Sequence, residues 1–344
     1  MKRPTVINAR AAARARITGV ERWAQVMTTR LPTQRPGAYA IARPPASLAH
    51  WAGHTWEQTV LPLRAARLRA GLVFSPANLA PVAWPRNVVV VHDALAVQHP
   101  ELYSAAYALL QRRLLPRIVR RARKVITVSN FSRTEISRTF AIPAEEIAVI
   151  AGGVDDRFSP DADPEPVSRA LGLQRPYVLT VGAGGRKNAV ALGVAARRLR
   201  DEGVELVAAG AMRPHMRGGE SVNELRHLGY VADEHLPGLY AGAAAFVLPS
   251  LHEGFGLPCI EAMAAGTPVV AADRGALPET CAGAAVLVNP DDREEVADAL
   301  LSAISDDGLR SQLRAAGLAR ASELSWDRTA TAVDALLQDL GDRQ

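Results

Sequence analysis

The chain has 344 residues, 48% of them apolar, with 40 Lys and Arg, 35 Asp and Glu, and two cysteines. That length exceeds what one hydrophobic core supports and predicts two domains, while the composition excludes a disordered, collagenous or disulfide-stapled protein. A reduced, cytoplasmic protein is expected: Cys259 and Cys281 cannot form a disulfide framework, the N-terminal stretch lacks the apolar core of a signal peptide, and no run approaches the roughly 20 apolar residues that span a bilayer.

The net charge of +5 conceals an asymmetry. Residues 1–150 carry 22 Lys and Arg against 7 Asp and Glu, whereas residues 151–344 carry 18 against 28. A basic half points to an anionic partner, whether a membrane surface, a phosphorylated substrate or nucleic acid; arginines that merely solvate the surface are the alternative. Aromatic residues make up only 5% of the chain and do not interleave with the basic residues of the first half, which argues against binding of single-stranded nucleic acid.

In chain order, short apolar runs bounded by turn residues read as buried strands. They lie at 72–74, 88–91, 125–128, 147–150, 177–181, 204–209, 244–248 and 268–271, with helical spacing between most of them. That alternation predicts an α/β fold with parallel sheets covered on both faces. The series is interrupted at residues 156–176, where RFSPDADPEPVSRALGLQRP concentrates proline and acid and reads as a linker. The linker therefore predicts a first domain of residues 1–158 and a second domain from residue 159 onward. Each is a Rossmann-like doubly wound unit with its chemistry at the carboxyl ends of the strands. The linker holds Asp161-Ala162-Asp163, a pair of acids that reads as solvated rather than metal-binding, because a metal site needs ligands converging from rigid elements. No Cys/His cluster has metal-ligand spacing, and no metal or cofactor is expected.

Several motifs carry chemistry. Thr18-Gly19 precedes a helical stretch. The run VVVVHD ends in His92-Asp93 at the carboxyl end of a strand, and ITVSNFS runs from strand into a turn where Ser129 or Asn130 can cap a helix. From Leu109 to Lys124 an amphipathic segment bears seven cations and is interrupted by Pro116; it reads as a surface helix, with contact to an anionic membrane the alternative. YVLTVGAGGRKN is a strand, a glycine-rich turn starting at Gly182, then Arg186 and Lys187. A guanidinium fork and an ammonium are what a diphosphate needs, and such cations can stabilise a departing nucleoside diphosphate.

The stretch HEGFGLPCIE places Glu253 and Glu261 around Gly254-Phe255-Gly256, with a helix starting at Leu257. Its glycines let the backbone approach a ligand, and the helix start offers unpaired N–H groups to a phosphate. Glu261, about one turn into the helix, can curl back to accept hydrogen bonds from a ribose, and Glu253 lies across the phosphate from it, within reach of a second hydroxyl-bearing group. Two acids flanking a phosphate seat suit a nucleotide-sugar. The bland alternative is a capping Glu253 and a solvated Glu261.

With its neighbours Pro249-Ser250 and AGTPVV, this Glu-x7-Glu segment resembles the retaining glycosyltransferases of family four, which have the GT-B fold of two Rossmann-like domains facing each other across a cleft. The resemblance implies a donor site of Gly19, Gly182, Arg186, Lys187, Glu253, Gly254, Phe255, Gly256, Leu257 and Glu261. It puts His92 beside the transferred hexose and Asp93, Ser129 and Ser250 behind these groups, with His92, Arg186, Lys187 and Glu253 as the catalytic set. Ser325-Trp326 resembles the point where the last helix crosses back, which implies a second domain of 159–325 and a return of 326–344 to the first, and Leu277-Pro278-Glu279 resembles a scaffold segment.

The implied reaction moves a hexose, mannose first and rhamnose or glucose next, from a nucleotide-diphosphate sugar such as GDP-mannose to a sugar, lipid-linked or phosphorylated acceptor. Configuration is retained, no metal takes part, the leaving phosphate serves as base, and domain closure excludes water. The setting implied is glycan, glycolipid or polysaccharide synthesis in the cytoplasm or at the inner face of the plasma membrane. A sugar-nucleotide epimerase of the same architecture, or a non-catalytic basic module for membrane or nucleic acid, is the alternative.

Overall fold

The computed structural model describes residues 3–14, 17–45, 48, 52–174, 176–182, 185–210, 222 and 224–342. They form two compact units, one of Met1–Pro100, Ala105–Gly152 and Trp326–Gln344, the other of Glu101–Ser104 and Gly153–Ser325. The chain leaves the first unit after Gly152 rather than after residue 158.

In the first unit the order is β1 (Thr5–Asn8), α1 (Gly19–Gln34), β2 (Tyr39–Ala42), α2 (Ala52–Arg67), β3 (Leu72–Ser75) and β4 (Asn87–Val90). There follow α3 (Leu95–Gln98), α4 (Ala105–Arg121), β5 (Lys124–Thr127), α5 (Asn130–Phe140) and β6 (Ile147–Val149). The second unit holds α6 (Glu165–Leu171), β7 (Tyr177–Val181), α7 (Gly193–Asp201), β8 (Glu205–Ala209), β9 (Arg226–Gly229), α8 (Leu236–Ala241) and β10 (Ala245–Leu248). It continues with α9 (Leu257–Ala264), β11 (Val269–Ala272), α10 (Leu277–Cys281), β12 (Val286–Val288), α11 (Arg293–Ser305) and α12 (Asp307–Glu323); α13 (Trp326–Asp342) then rejoins the first unit.

Both sheets are parallel throughout, in the orders β2-β1-β3-β4-β5-β6 and β12-β11-β10-β7-β8-β9. The eight strands expected from apolar runs are present. Four more join them, β1, β2, β9 and β12, whose sequences are interrupted by polar residues or half exposed. In each sheet the order of strands reverses beside the first strand of the unit, between β1 and β3 in one and between β7 and β10 in the other. Those reversals open a crevice at the carboxyl ends, where doubly wound sheets place ligands.

Two expectations from sequence need correction. The stretch 156–176 is not a bare linker, because it contains α6, which packs on α8 and buries Val167. Its Pro166 lies in the first turn, where a missing N–H costs nothing, and Gly172 ends it at φ +60°, so residues that read as breakers punctuate a helix. Pro116 likewise does not interrupt the basic segment, since α4 runs through it for 17 residues.

The returning helix is held mainly by apolar burial. Trp326, Ala330, Val333 and Leu337 lie on one face and are each at most 1% exposed, and α13 packs against α1. Truncating such a residue costs about 2–5 kcal/mol, whereas a surface ion pair such as Arg30–Asp327 contributes under about 1 kcal/mol. Asp334 adds direction: its carboxylate accepts hydrogen bonds from Arg35 (2.6 Å) and from Tyr39 Oη (2.5 Å).

Candidate functional site

The loops that follow β7 and β10 lie at the strand-order reversal of the second sheet, and they carry the expected donor residues. Gly182 ends β7 at φ +89°. A Cβ there would come within 3.1 Å of Lys187 Cε, so the absent side chain leaves the space in which the lysine stem lies. Ala183 and Gly184 of the glycine-rich turn lie outside the described residues. Arg186 and Lys187 occupy a single 3₁₀ turn, Gly185–Lys187, rather than the start of a helix.

The loop after β10 is fastened to that turn. Leu251 N–H donates to the Arg186 carbonyl at 2.9 Å, and an Arg186 guanidinium N–H returns a bond to the His252 carbonyl at 2.9 Å. Glu253 therefore stands on the cations, with Oε1 2.6 Å from Lys187 Nζ and 3.1 Å from Arg186 Nη1. Sequence alone puts Glu253 across the phosphate seat from Glu261, whereas in the structure it pairs with Arg186 and Lys187, the groups that would hold the phosphate. Burial pushes the Glu253 carboxyl up, but Arg186 and Lys187 outweigh it and hold it at about 2. Burial lowers the Lys187 ammonium, and Glu253 opposes that shift. The fully buried Ser250 lies between β10 and Glu253.

Gly256 is the glycine this turn requires. It precedes α9 at φ +95°, and a Cβ there would come within 2.6 Å of Leu277 Cδ2; Gly254 does not adopt positive φ. The Phe255 carbonyl accepts from Thr280 Oγ1 at 2.5 Å, so the LPET segment braces the turn from behind. Helix α9 then starts at Leu257, after β10, where its dipole favours an anion; Pro258 has no N–H, and Cys259 N–H donates to the Gly256 carbonyl at 3.0 Å. Glu261, 7% exposed, accepts a hydrogen bond from Tyr240 Oη at 2.9 Å. Nothing in the sequence marked Tyr240, which reads as an ordinary core residue of α8.

The remaining expected residues lie in the first unit, at the carboxyl edge of its sheet. Gly19 heads α1, and Trp23 one turn on meets the His92 ring edge to face at 5.9 Å. His92 Nε2 is 3.1 Å from the Pro76 carbonyl, so that nitrogen carries the proton of a neutral ring; burial lowers the pKa further than that bond raises it. The His92 backbone N–H donates to Asn78 Oδ1 (2.9 Å) and its carbonyl accepts from Ser132 Oγ (3.1 Å). Ser129 caps α5 by accepting from Ser132 N–H, and Asp93 accepts from Leu95 N–H, so both brace the backbone around His92. Among the described residues no group of three His, Cys, Asp or Glu side chains is placed to hold a metal ion.

Two doubly wound units, one bearing paired cations and a helix N-terminus at its switch point, define a GT-B type of glycosyltransferase. Residues 26–158 match the family described as Glycosyltransferase Family 4, and residues 175–306 match Glycosyl transferases group 1. The chain is 34% identical over 260 residues to an O-antigen chain mannosyltransferase B of Escherichia coli, covering 72% of this chain and 68% of that one. It is 30% identical over 315 residues to an MMP alpha-(1->4)-mannosyltransferase of Mycolicibacterium hassiacum, covering 82% and 75%. Among solved structures, a sucrose-phosphate synthase from Thermosynechococcus elongatus superposes with a TM-score of 0.78 at 19% identity over 100% of both chains. Anabaena HepE in complex with UDP-glucose superposes with 0.74 at 18% identity, over 98% of this chain and 100% of that one. The chain belongs to the family-four glycosyltransferases and is a hexosyltransferase.

Proposed function

We propose that the enzyme transfers mannose from GDP-mannose to an acceptor hydroxyl with retention of configuration and without a metal ion. The observation that carries the donor reading is the Arg186–Lys187 turn fastened beside the N-terminus of α9 at the β7/β10 switch point. Mannose is favoured by the names of the relatives. On this reading Lys187 and Arg186 turn from Glu253 to the diphosphate oxygens, and Glu253 then accepts from a hydroxyl of the sugar. The acceptor hydroxyl attacks C1 from the face that the diphosphate leaves; the C1–O bond to phosphate breaks, the new C1–O bond forms, and the hydroxyl proton passes to the departing phosphate. The two cations stabilise charge that develops in this step, the kind of interaction that acts on the transition state. His92, neutral and held by Pro76, is assigned to the transferred hexose.

The acceptor is proposed to be a sugar, lipid-linked or phosphorylated, and the enzyme to work in the cytoplasm. Helix α4 favours a peripheral contact with anionic membrane: it has no acidic residue, and Arg112, Arg113, Arg117, Arg120 and Arg121 are exposed together with Leu109. Each such charge adds about 1 kcal/mol near an anionic surface. No helix of the described residues is long and apolar enough to cross a membrane.

The test is incubation with GDP-mannose, UDP-glucose and dTDP-rhamnose, with and without EDTA, following release of nucleoside diphosphate. Turnover of GDP-mannose unaffected by EDTA is expected. Failure of every donor would overturn the catalytic assignment, and preference for another donor would overturn the mannose assignment.

A further inference from the structure

Glu261 is a carboxylate on the second turn of an otherwise apolar helix, and only 7% of it is exposed. A side chain of this kind has several rotamers, and a carboxylate that must meet a ribose in one geometry needs something to choose among them. The structure offers that second group in Tyr240, whose hydroxyl donates to Glu261 Oε2 at 2.9 Å.

Tyr240 is itself held on every side. It is 1% exposed; its ring stands edge to face against Phe158 at 5.7 Å and tilted against Phe246 at 5.5 Å. Its carbonyl accepts from Thr267 Oγ1 at 2.7 Å, and Thr267 N–H bonds the Ala262 carbonyl one residue beyond Glu261. Phe158 is stacked in turn beneath the Arg157 guanidinium, which is tied to Asp233 at 2.6 Å. The tyrosine hydroxyl is thus the end of a rigid apolar stack, and it meets the only carboxylate on α9.

We propose that Tyr240 is a positioning residue for nucleotide recognition: its hydroxyl fixes one oxygen of Glu261 so that the carboxylate presents a single geometry to the ribose diol. The proposal rests on the assignment of Glu261 to the ribose. Tyr240 is buried and its hydroxyl is turned to Glu261, so its loss should act on nucleotide affinity through Glu261 and leave the bond-making step alone.

The substitution Tyr240→Phe removes one oxygen and keeps the ring that packs on Phe158 and Phe246. Affinities for GDP and for its 2′-deoxy and 3′-deoxy analogues are measured by calorimetry on the full chain, with UDP and its analogues in parallel, for the wild type, Tyr240→Phe and Glu261→Gln. The wild type is expected to favour the ribose form by about tenfold, a single hydrogen bond to a charged group. Tyr240→Phe should shrink that preference to about two- to threefold, raise the donor KM and leave kcat within a factor of about two. A tyrosine that served packing alone would weaken ribose and deoxyribose nucleotides equally, leaving the ratio at its wild-type value, and that result overturns the proposal. If Glu261→Gln also keeps the ratio, or the wild type shows none, the ribose assignment itself fails; if Glu261→Gln loses it and Tyr240→Phe keeps it, only the positioning role fails.

Discussion

Lys187 Nζ lies 2.6 Å from Glu253 Oε1, and the two side chains come from loops after the neighbouring strands β7 and β10. Three residues of opposite charge, Arg186, Lys187 and Glu253, thereby share a largely buried spot at the place where the sheet opens. Glu253 offsets one of the two positive charges, so on the proposed reading a donor diphosphate replaces an anionic partner already in place and the cations are not stripped bare of water.

Replacement of Lys187 by Ala removes the charge proposed to act on the leaving group. The expected loss is in kcat, about 10²–10³-fold, as for other preorganised donors to a developing oxyanion. Arg186 still covers Glu253, so folding should be perturbed far less; steady-state kinetics beside circular dichroism checks both, and a fully active mutant would refute the assigned role.

Acid should weaken the fold through Glu253. Its carboxyl is held at about 2, below the ordinary glutamate value of 4.5, so the contribution of its pairing with Arg186 and Lys187 is complete above about pH 4.5 and is lost as pH falls towards 2. The amount is on the order of 3 kcal/mol. Urea unfolding at pH 6, 4.5 and 3.5 should show this slope in the wild type and a flatter one in Glu253→Gln.

His92 acts in the same direction but in a higher window. Its folded pKa is lowered by burial, so its contribution is present above the ordinary histidine value of about 6.5 and fades as pH falls below it. A His92→Phe variant should lack that part of the acid dependence and, if the ring contacts the hexose, also lose turnover. An activity profile unchanged by the substitution counts against the hexose contact.

Gly256→Ala introduces a methyl into a left-handed position 2.6 Å from Leu277 Cδ2. Backbone strain and overpacking together should destabilise by about 1–3 kcal/mol and displace the start of α9, with a matching loss of nucleotide affinity. Thermal unfolding and GDP calorimetry would reveal a tolerant site if neither changed.

For the returning helix, Trp326→Ala should cost about 3–5 kcal/mol, and Asp334→Asn should lower the melting temperature by much less. Equal effects would mean that Asp334, not the apolar face, sets the docking of α13.

Much of this architecture was legible because buried parallel strands are unbroken apolar runs: FVL after Ala245 can be little else. The strands that escaped show the limit. In β1, TVIN ends in Asn8, which bonds Glu57 and Ser75, and in β9, RHLG owes its place to its neighbour β8. Of the site, the residues whose chemistry is local could be read directly, such as the cations of Arg186-Lys187 and the turn glycine Gly256. The Lys187–Glu253 pair and the Tyr240–Glu261 bond could not, since each depends on which strands become neighbours, a property of sheet order that no short stretch encodes.

A parallel backbone bridge joins Val154 to Ser325. It brings Val154, the second residue of the 153–325 segment, beside Ser325, the last, while Thr329 Oγ1 donates to the Ala151 carbonyl at 2.9 Å. The larger part of the second unit is therefore an insertion with adjoining ends, placed in a host whose own severed ends also adjoin. Because both of its junctions lie side by side, such a module can be lengthened, shortened or replaced without forcing the two parts of the host segment apart.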